Sequence, residues 1–546
     1  MTEAPATAAT AQEGVPLVDH LAQQVLNELD GGERALVVDT LTDVIGGAYA
    51  HLPAKRAAYA VDPVRALTQL RRRSGDLTDT DFHRMLAGVV TGLRDAHTRY
   101  AARRTMTVAA LPFLVEQYGP YASPTFIVGK VAESMVGDRH FKKGVRIERF
   151  NAVPIARAVD VYADRETGGR PDARRSRALE SFTFRSLKHQ PPPDEVEAVI
   201  DFVHDGKERR VSFPWRVVDP QRATTAVRPG TRGSAKLAVN SAAEMVRRGK
   251  MLMFSFDVWA AQFNEAKAAP STTARGASDW IETSFPDNLA ARAWETGGRT
   301  VGYLRVWTFD VDDVDGFLAE VERLLALLPR DGVIVDLRGN PGGLVWAAER
   351  MLQLFTSKPI QPTRFSLVAS PLTRSMAQSP FNRMELEAWA PSLEDAVSTG
   401  DLYSQPLPLT DPEWCNEGRG TYPGPAVAVV DANTYSSGDL FAAGWADHGI
   451  GDLVTIGEAT GGGGANVWTS SMLRDALAGT EHAFAALPDE ARFTLSVRRA
   501  IRSGLSDGIP IEDLGIAGVP YDLTRSDLLD GNVDLVAFCA DLLERR

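Results

Sequence analysis

The sequence predicts an α/β protein whose C-terminal half, residues 291–546, forms a largely parallel sheet with helices on both faces. Short apolar runs such as GVIVDL, AVAVVDA and DLVTIGE are typical of strands that are buried on both faces. They alternate with the helical segments VDGFLAEVERLLALL and SSGDLFAAGWADH, an order that predicts parallel βαβ units. The polar, proline-rich segment 356–424 has no clear period, and we expect it to be an excursion from this sheet.

Residues 16–108 are expected to form an N-terminal helical region. The clearest helix is DFHRMLAGVVTGLRDAH, where Phe82, Leu86 and Val90 recur at helical spacing on one face. His97 follows on the same buried side, at the expected end of this helix.

Two regions of different character separate these helices from the C-terminal sheet. Residues 109–220 contain short strand-like runs such as TFIVGKVA and EAVIDFV, which predict a compact β-rich module. Residues 221–290 are rich in Gly, Ser, Ala and Thr around a single apolar stretch. This composition predicts a linker with a long loop that is either mobile or regulatory.

Composition excludes several classes of function. The chain has 546 residues and a net charge of −12, from 59 basic and 71 acidic side chains. An acidic chain without a basic stripe argues against nucleic acid as a partner. The two cysteines, Cys415 and Cys539, provide neither a disulfide framework nor the spacing of metal ligands, so we expect no metal and no cofactor.

The start of the chain carries no targeting signal that we recognise. Residues 1–15 lack the basic and apolar regions of a signal peptide, and we expect a disordered leader. No uncharged apolar run reaches the roughly 18 residues of a membrane span. We therefore expect a cytoplasmic protein without a membrane partner.

Ser436 lies where a buried strand and a short turn lead into a helix, in AVAVVDANTYSSGDLFAAGWADH. A helix N-terminus offers unpaired N–H groups, which stabilise the oxyanion that forms when a serine attacks a carbonyl. However, Ser436 and Asp439 also have the spacing of a capping box. Taken alone, this stretch is compatible with either a nucleophile or a helix cap.

A second connection between a strand and a helix, GVIVDLRGNPGGLVWAAER, contains Gly339, Gly342 and Gly343. Glycines permit positive φ and allow a substrate carbonyl to approach bare backbone N–H groups. An ordinary strand-to-helix turn explains the glycines as well, and Asp336 and Arg338 would then pair with their neighbours.

Two further stretches hold candidate acid–base residues. LRDAHTRY contains His97, and IPIEDLGIAGVPYDL contains Glu512 and Asp513 ahead of a glycine-rich turn. Histidine and carboxylate side chains are the usual proton acceptors and supporting groups in acyl transfer. Taken singly, however, such residues are more often structural or solvated.

In this order, the four stretches resemble the tail-specific, or C-terminal-processing, and tricorn-type serine peptidases. Members of that family carry a D-x-H segment, a PDZ-like module, a D-L-R-x-N-x-G-G loop, an S-x-x-[DE] helix, a G-E-x-T segment and a late glutamate turn. The resemblance implies a ClpP/crotonase-like α/β core. The matching positions are Asp95 to His97, the module at 109–220, Asp336 to Gly343, Ser436 to Asp439, Gly457 to Thr460 and Glu512 to Ile516.

One branch of the family uses a Ser–Lys dyad whose lysine lies in G-E-x-T-x-G-K-G. Here GEATGGGGANVW places Gly463 at that position, and the last lysine of the chain is Lys358. The branch of tricorn-like and chlamydial protease-like activity factor-like peptidases uses serine and histidine with a glutamate instead. Resemblance to that branch implies Ser436 as nucleophile, His97 as general base and Glu512 as the supporting carboxylate.

The resemblance also implies an oxyanion hole formed by backbone N–H groups. Ser437 would supply one donor, and Gly342 or Gly343 the other. The turn after Glu512 reads GIAGV rather than the family's G-V-x-P-D, so Asp513 remains an alternative to Glu512.

These observations predict a serine endopeptidase that acts on protein or peptide substrates, with a homo-oligomer as the family expectation. The alternative is a catalytically inactive, protease-fold scaffold that binds peptides, which the absent lysine favours. The distance between His97 and Ser436 distinguishes the two. A third hypothesis holds that residues 221–290 occlude the cleft until they are cut or displaced.

Overall fold

The computed structural model describes residues 13–23, 28–102, 106–219, 237–239, 241–254, 280–380, 385–417 and 420–545. Most of the predicted leader and much of the predicted linker lie outside these ranges. Among the described helices, none combines the length and the apolar composition that crossing a membrane requires.

Helices fill the N-terminal region, as the sequence predicts, after a short strand, β1 (Val15–Pro16). They are α1 (Leu17–Gln23), α2 (Gly31–Ala48), α3 (Leu52–Tyr59), α4 (Pro63–Arg73) and α5 (Asp79–Thr91). Local capping begins three of them, because Asp30, Asp62 and Thr78 accept a backbone N–H from the first turn. Side chains of α2 to α5, including Phe82, share one hydrophobic cluster with the C-terminal sheet.

The helix before His97 is shorter than the sequence predicts. α5 ends at Thr91, and the chain then turns through Arg94, whose φ is +55°. His97 therefore lies in a loop, not at the end of a helix. This loop leads directly into a short strand, β2 (Arg99–Ala101).

The predicted β-rich module is present and consists of two antiparallel sheets. Its strands are β3 (Val108–Ala110), β4 (Phe113–Tyr118), β5 (Thr125–Val131), β6 (Arg146–Phe150), β7 (Val153–Pro154), β8 (Phe184–Ser186), β9 (Glu197–His204), β10 (Lys207–Pro214) and β11 (Arg216–Val218). The sheet orders are β1–β11–β3–β8 and β10–β9–β6–β5–β4, with β7 paired to β6. Two helices that were not predicted, α6 (Ile155–Ala163) and α7 (Pro171–Ser181), also lie here.

The predicted linker contains regular structure in its described part. A strand, β12 (Leu237–Val239), pairs antiparallel with β16 (Gly342–Leu344), and a helix, α8 (Ser241–Phe254), follows it. Composition did not reveal these elements, because their stability comes from partners that are distant in sequence. β12 is thus hydrogen-bonded to the loop that contains Gly342 and Gly343, which the sequence analysis identified.

The C-terminal sheet is largely parallel, as predicted. Its order is β13 (Leu289–Thr296), β14 (Arg299–Val306), β15 (Val333–Asp336), β19 (Ala426–Asp431), β20 (Asp452–Ile456) and β23 (Val519–Tyr521). Only the pairing of β13 with β14 is antiparallel among these strands.

Helices cover both faces of this sheet. Successive residues of a strand point to opposite faces, so each strand has side chains that pack against the helices on either side. Helices α9 (Val314–Leu327), α10 (Val345–Leu352) and α14 (Ser437–Asp447) join the cluster that contains Val335 and Ala428. The neighbouring residues Ile334 and Val427 pack instead against α17 (Val533–Glu544).

A second, antiparallel sheet was not predicted. It contains β2, β17 (Arg364–Leu367), β18 (Leu407–Pro408), β21 (Ala465–Thr469) and β22 (Arg492–Ile501). The expected excursion at 356–424 therefore contributes strands, together with the helices α11 (Pro371–Gln378), α12 (Ala390–Thr399) and α13 (Pro412–Cys415). The remaining helices are α15 (Ser470–Ala476) and α16 (Arg525–Leu529).

Candidate active site

Ser436 lies in the tight turn between β19 and α14. Asp431 closes this turn by accepting the N–H of Thr434 at 2.8 Å, and it also accepts the N–H of Gly339 at 2.8 Å. Ser436 itself has φ +64° and ψ −122°, a conformation that costs a non-glycine residue about 1–3 kcal/mol. Asp439 stabilises it by accepting the Ser436 N–H at 2.8 Å.

His97 is held on both sides by buried polar contacts. Asp95 Oδ1 accepts the His97 N–H at 2.8 Å, and Thr494 donates its hydroxyl to the His97 carbonyl at 2.7 Å. The next residues form β2, which pairs antiparallel with β22. This pairing carries the N-terminal loop into the C-terminal half of the chain.

The structure brings His97 and Ser436 into contact. His97 Nε2 lies 2.8 Å from Ser436 Oγ, and both residues are buried. A general base needs a separation of about 2.6–3.2 Å from the group it deprotonates. The two predicted residues therefore have the geometry of a base and its nucleophile.

The surroundings of His97 keep its imidazole neutral. Burial lowers the pKa of His97 to about 4, with Arg99 and Arg177 acting in the same direction and Asp95 opposing them. A neutral imidazole at physiological pH is free to accept a proton. The Tyr435 ring packs against the imidazole at a centroid distance of 4.6 Å.

Glu512 lies in a buried cluster beside His97 but makes no direct hydrogen bond to it. Its Oε1 lies 2.7 Å from Lys55 Nζ, and its Oε2 lies 3.7 Å from His51 Nε2. Glu512 Oε2 and His97 Nδ1 are both buried, and neither has a hydrogen-bond partner among the residues that the structure describes. Asp513, the alternative carboxylate, binds Lys55 at 2.6 Å instead.

Lys55 is a member of this site that the sequence analysis missed. Its side chain is fully buried and also donates to the Arg94 carbonyl at 3.0 Å. The Ser–Lys motif predicts a lysine within the glycine run, in the C-terminal part of the sequence, whereas Lys55 lies on α3. One signal was available, since Lys55 follows Leu52 by three positions and so shares its buried helix face.

The charges of the cluster depend on one another. Burial lowers the pKa of Lys55, but Glu512 and Asp513 raise it by more, so the ammonium group stays charged. Burial raises the pKa of Glu512, and Asp95 and Asp513 add to this rise while Lys55 opposes it. Lys55 is thus the cation that allows these carboxylates to lie together in the interior.

Three side chains of the same cluster, His51, Asp95 and Glu512, are of the types that bind metal ions. Ligand atoms of His51, Asp95 and Glu512 lie within 4.8 Å of one another. Asp95 already accepts hydrogen bonds from the His97 N–H and from the hydroxyls of Thr98 and Ser496. Because the Lys55 ammonium also lies on Glu512, electrostatic repulsion disfavours a second cation here.

The glycine run binds the carboxylate that supports the turn at Ser436. Asp439 accepts the N–H groups of Gly462 at 3.0 Å and Gly463 at 2.9 Å, and it also accepts the Thr460 hydroxyl. The run is buried, and the N–H of Gly461 donates to the Thr434 carbonyl at 2.7 Å, so these three amides bond within the protein and do not face an open cleft. A Cβ at Gly463 would lie 2.0 Å from the Tyr435 ring, which occupies the space that a lysine would need.

The loop predicted to form part of the oxyanion hole lies beside the start of α14. Asn340 accepts the N–H of Tyr435 at 2.9 Å through its carbonyl oxygen, which joins the two segments. The N–H of Gly342, however, donates to Asn340 Oδ1 at 2.9 Å. Of the two glycines predicted as donors, Gly342 is thus already bonded within its own loop, and Gly343 is the next residue along.

Residues 300–502 match the family model described as peptidase family S41. The matched segment lies within the C-terminal half of the chain. The chain is a serine-type peptidase, as its resemblance to the tail-specific peptidases predicted. No curated protein matches the chain in sequence.

Two solved structures of CPAF share the fold. Mature CPAF superimposes with a TM-score of 0.64 at 15% identity, over 94% of this chain and 98% of that chain. Mature CPAF complexed with lactacystin gives a TM-score of 0.63 at 16% identity, over 94% and 99%. The photosystem II D1 C-terminal processing protease has a TM-score of 0.37 at 13% identity, over 90% and 94%. At this identity, the match to CPAF extends to the fold alone.

We expect Gly463→Ala to destabilise the protein by about 1–3 kcal/mol, because the new methyl group would overlap the Tyr435 ring. Urea unfolding measures the change. Gly75→Ala is the matched control, since a Cβ at Gly75 meets nothing within 4 Å. In a Tyr435→Ala background, Gly463→Ala should lower the free energy of unfolding by less than it does in the wild-type protein. Full additivity of the two changes would contradict the proposed overlap.

We expect Lys55→Met to cost about 3–5 kcal/mol at neutral pH, because it leaves the buried Glu512 carboxylate and the partly exposed Asp513 carboxylate without their cation. A carboxyl group whose pKa is raised by folding destabilises the folded state at high pH, and this cost disappears as the pH falls. The deficit should therefore shrink between about pH 8 and about pH 5. Urea unfolding at several pH values measures it.

Two controls accompany the lysine variant. Asp513→Asn in the Lys55→Met background should restore part of the stability, since it removes one of the two unpaired charges. Lys207→Met, at an exposed position, should change stability by less than about 0.5 kcal/mol. A pH-independent deficit in Lys55→Met would show that lost packing, and not charge, is responsible.

Proposed function

We propose that the protein is a serine endopeptidase with Ser436 as nucleophile, His97 as general base and Glu512 as the supporting carboxylate. The observation that carries the proposal is the 2.8 Å separation between His97 Nε2 and Ser436 Oγ. The inactive-scaffold alternative predicted a separation well beyond the roughly 5 Å that a loose catalytic contact tolerates. The match of residues 300–502 to the S41 peptidase family model also favours the peptidase over the scaffold.

In the proposed reaction, Ser436 Oγ attacks the carbonyl carbon of a peptide bond while His97 Nε2 takes the hydroxyl proton. The protonated imidazole then gives this proton to the leaving amine, which produces an acyl-enzyme on Ser436. Water attacks the ester in a second step, with His97 again acting as base. The strained backbone of Ser436 directs its side chain out of the turn and toward His97.

We propose that Glu512 acts on His97 through a bridging water molecule. When Nε2 accepts the Ser436 proton, Nδ1 carries a hydrogen, and this buried N–H needs an acceptor. Glu512 Oε2 is a buried acceptor in the adjacent cluster and also needs a partner. Burial raises the pKa of Asp95, but its polar surroundings, among them the Lys55 ammonium and the Thr98 hydroxyl, lower it by more, so Asp95 adds an ionised carboxylate. These negative charges favour the imidazolium that forms during the reaction.

The proposed oxyanion hole uses the N–H groups of Ser437 and Gly343. Ser437 is the first residue of α14, where backbone N–H groups have no acceptor within the helix. Gly343 is preferred over Gly342, whose N–H donates to Asn340. Each such donor contributes a factor of about 10²–10³ to the rate.

We propose that residues 1–15 are a leader and that residues 16–108 form a helical region. Residues 109–220 would form a PDZ-like module, residues 221–290 a regulatory linker, and residues 291–546 a ClpP/crotonase-like core. The two antiparallel sheets at 109–220 support the third assignment. The substrate would be a protein or peptide, and the chain would assemble as a homo-oligomer.

We expect a fluorophosphonate probe to label the wild-type protein and to leave Ser436→Ala unlabelled, because the probe reacts with an activated serine hydroxyl. Gel fluorescence measures labelling. His97→Ala should reduce labelling strongly, while Ser471→Ala, at an exposed position, should not. Persistent labelling of Ser436→Ala together with its loss in Ser437→Ala would move the nucleophile by one residue.

The pairing of β12 with Gly342–Leu344 supports the hypothesis that residues 221–290 occlude the cleft. An extended substrate that reaches Ser436 would add to the same backbone edge. Replacing 233–280 by a short flexible linker should therefore speed probe labelling. Deleting only 255–279 leaves β12 and α8 in place and should have little effect. Equal labelling rates for the two deletions would contradict occlusion.

A further inference from the structure

A cavity of about 370 Å³ opens beside the nucleophile turn. Its walls come from the β-rich module, from α7 and α8, and from the loops that precede Ser436. Gly339, Asn433 and Tyr435 form the wall nearest to the nucleophile. A peptide bound across Ser436 therefore passes close to this cavity.

The cavity is basic although the chain as a whole is acidic. Seven lysine or arginine residues and four glutamate or aspartate residues line it, whereas the whole chain has a net charge of −12. Several of these cations have carboxylate partners, as in the pairs Lys250–Glu180 and Arg338–Asp336. A basic cavity in an acidic protein attracts negatively charged groups.

Arg99 and Arg177 have no carboxylate partner of this kind among the residues that the structure describes. Arg99 donates to the Ala96 carbonyl at 2.7 Å and to the Thr167 hydroxyl at 3.1 Å, and Arg177 donates to the Thr167 carbonyl at 3.1 Å. Neither guanidinium forms an ion pair within the described part of the chain. Arg177 Nη2 is buried and has no hydrogen-bond partner there.

Glu166, a buried acidic side chain that lines the same cavity, has other hydrogen-bond partners. Glu166 Oε1 accepts the Ser181 hydroxyl at 2.6 Å and the Gln190 amide at 2.7 Å. Burying two cations beside a single carboxylate leaves an uncompensated positive charge, and proteins retain such an arrangement where a ligand supplies the missing charge. The Tyr435 hydroxyl is also buried, with no hydrogen-bond partner among the described residues, and the Arg177 guanidinium lies 4.7 Å from the centre of the Tyr435 ring.

We propose that this cavity is a substrate subsite that binds an acidic side chain, Asp or Glu, close to the scissile bond. Arg177 and Arg99 would supply the positive charge, and Tyr435 a hydroxyl donor, because a guanidinium fork matches a carboxylate in geometry. The cavity is large enough for one such side chain. The proposal rests on the proposed peptidase function of Ser436.

The test uses peptides blocked at both ends that differ only by Glu or Gln at a single position. Each position from four residues before the scissile bond to three after it is varied in turn, and kcat/KM is measured. We expect wild-type protein to prefer Glu at one position by about tenfold or more. Blocked termini exclude a C-terminal carboxylate as the recognised group. A preference that appears only with a free C-terminus would overturn the assignment to a side chain.

Arg177→Met should reduce the Glu-to-Gln ratio at that position to about one, chiefly by slowing the Glu peptide. Arg175→Met is the matched control, because Arg175 lies on the same helix, pairs with Asp160 and does not line the cavity. It should keep the wild-type ratio. If Arg177→Met does not fold, Arg177→Lys and the wild-type peptide series still decide the question.

The two proposals fail in different ways. If no peptide is cleaved and no probe labels Ser436, the peptidase function itself is wrong. If Ser436-dependent cleavage occurs with equal rates for Glu and Gln at every position, only the acidic subsite is wrong. A preference for Glu that survives in Arg177→Met would also overturn the assignment of this cavity.

Discussion

The contact between His97 and Ser436 depends on the pairing of β2 with β22. These strands come from opposite ends of the chain, and their pairing brings together two groups that are 339 positions apart. Asp95 and Thr494 then fix the loop at its backbone, so the imidazole does not rely on its own side-chain contacts for position. The antiparallel sheet that contains β22 is therefore as important to the site as the parallel sheet that carries Ser436.

The buried charges make the N-terminal helices part of the same site. Lys55 on α3 connects that region to Glu512 and Asp513 through contacts of 2.7 and 2.6 Å. The apolar faces of these helices share one hydrophobic cluster with the C-terminal sheet. Burial makes the arrangement specific, since a buried carboxylate requires a charged or hydrogen-bonding partner. A lysine thus acts on the carboxylate, although none lies at the position of the Ser–Lys branch.

Tyr435 links the three functional features of the site. Its ring packs on the imidazole of His97, fills the space next to Gly463 and lies beside the guanidinium of Arg177. A residue with a longer side chain at Gly463 would displace it. The position of the Tyr435 ring therefore explains why no lysine occupies position 463.

The sequence by itself determined the parallel core, the β-rich module, the helical N-terminal region and the candidates Ser436, His97 and Glu512. Buried strands, helical periodicity and ordered motifs are local patterns, so they can be read from short stretches. Only the tertiary structure decided that His97 lies in a loop, that the Gly342 N–H is hydrogen-bonded within its own loop and that Lys55 pairs with Glu512. It also decided the second sheet and the placement of β12 on the glycine loop. Each of these depends on partners far apart in the chain, where side-chain burial and strand pairing are set by the whole fold and leave little local trace.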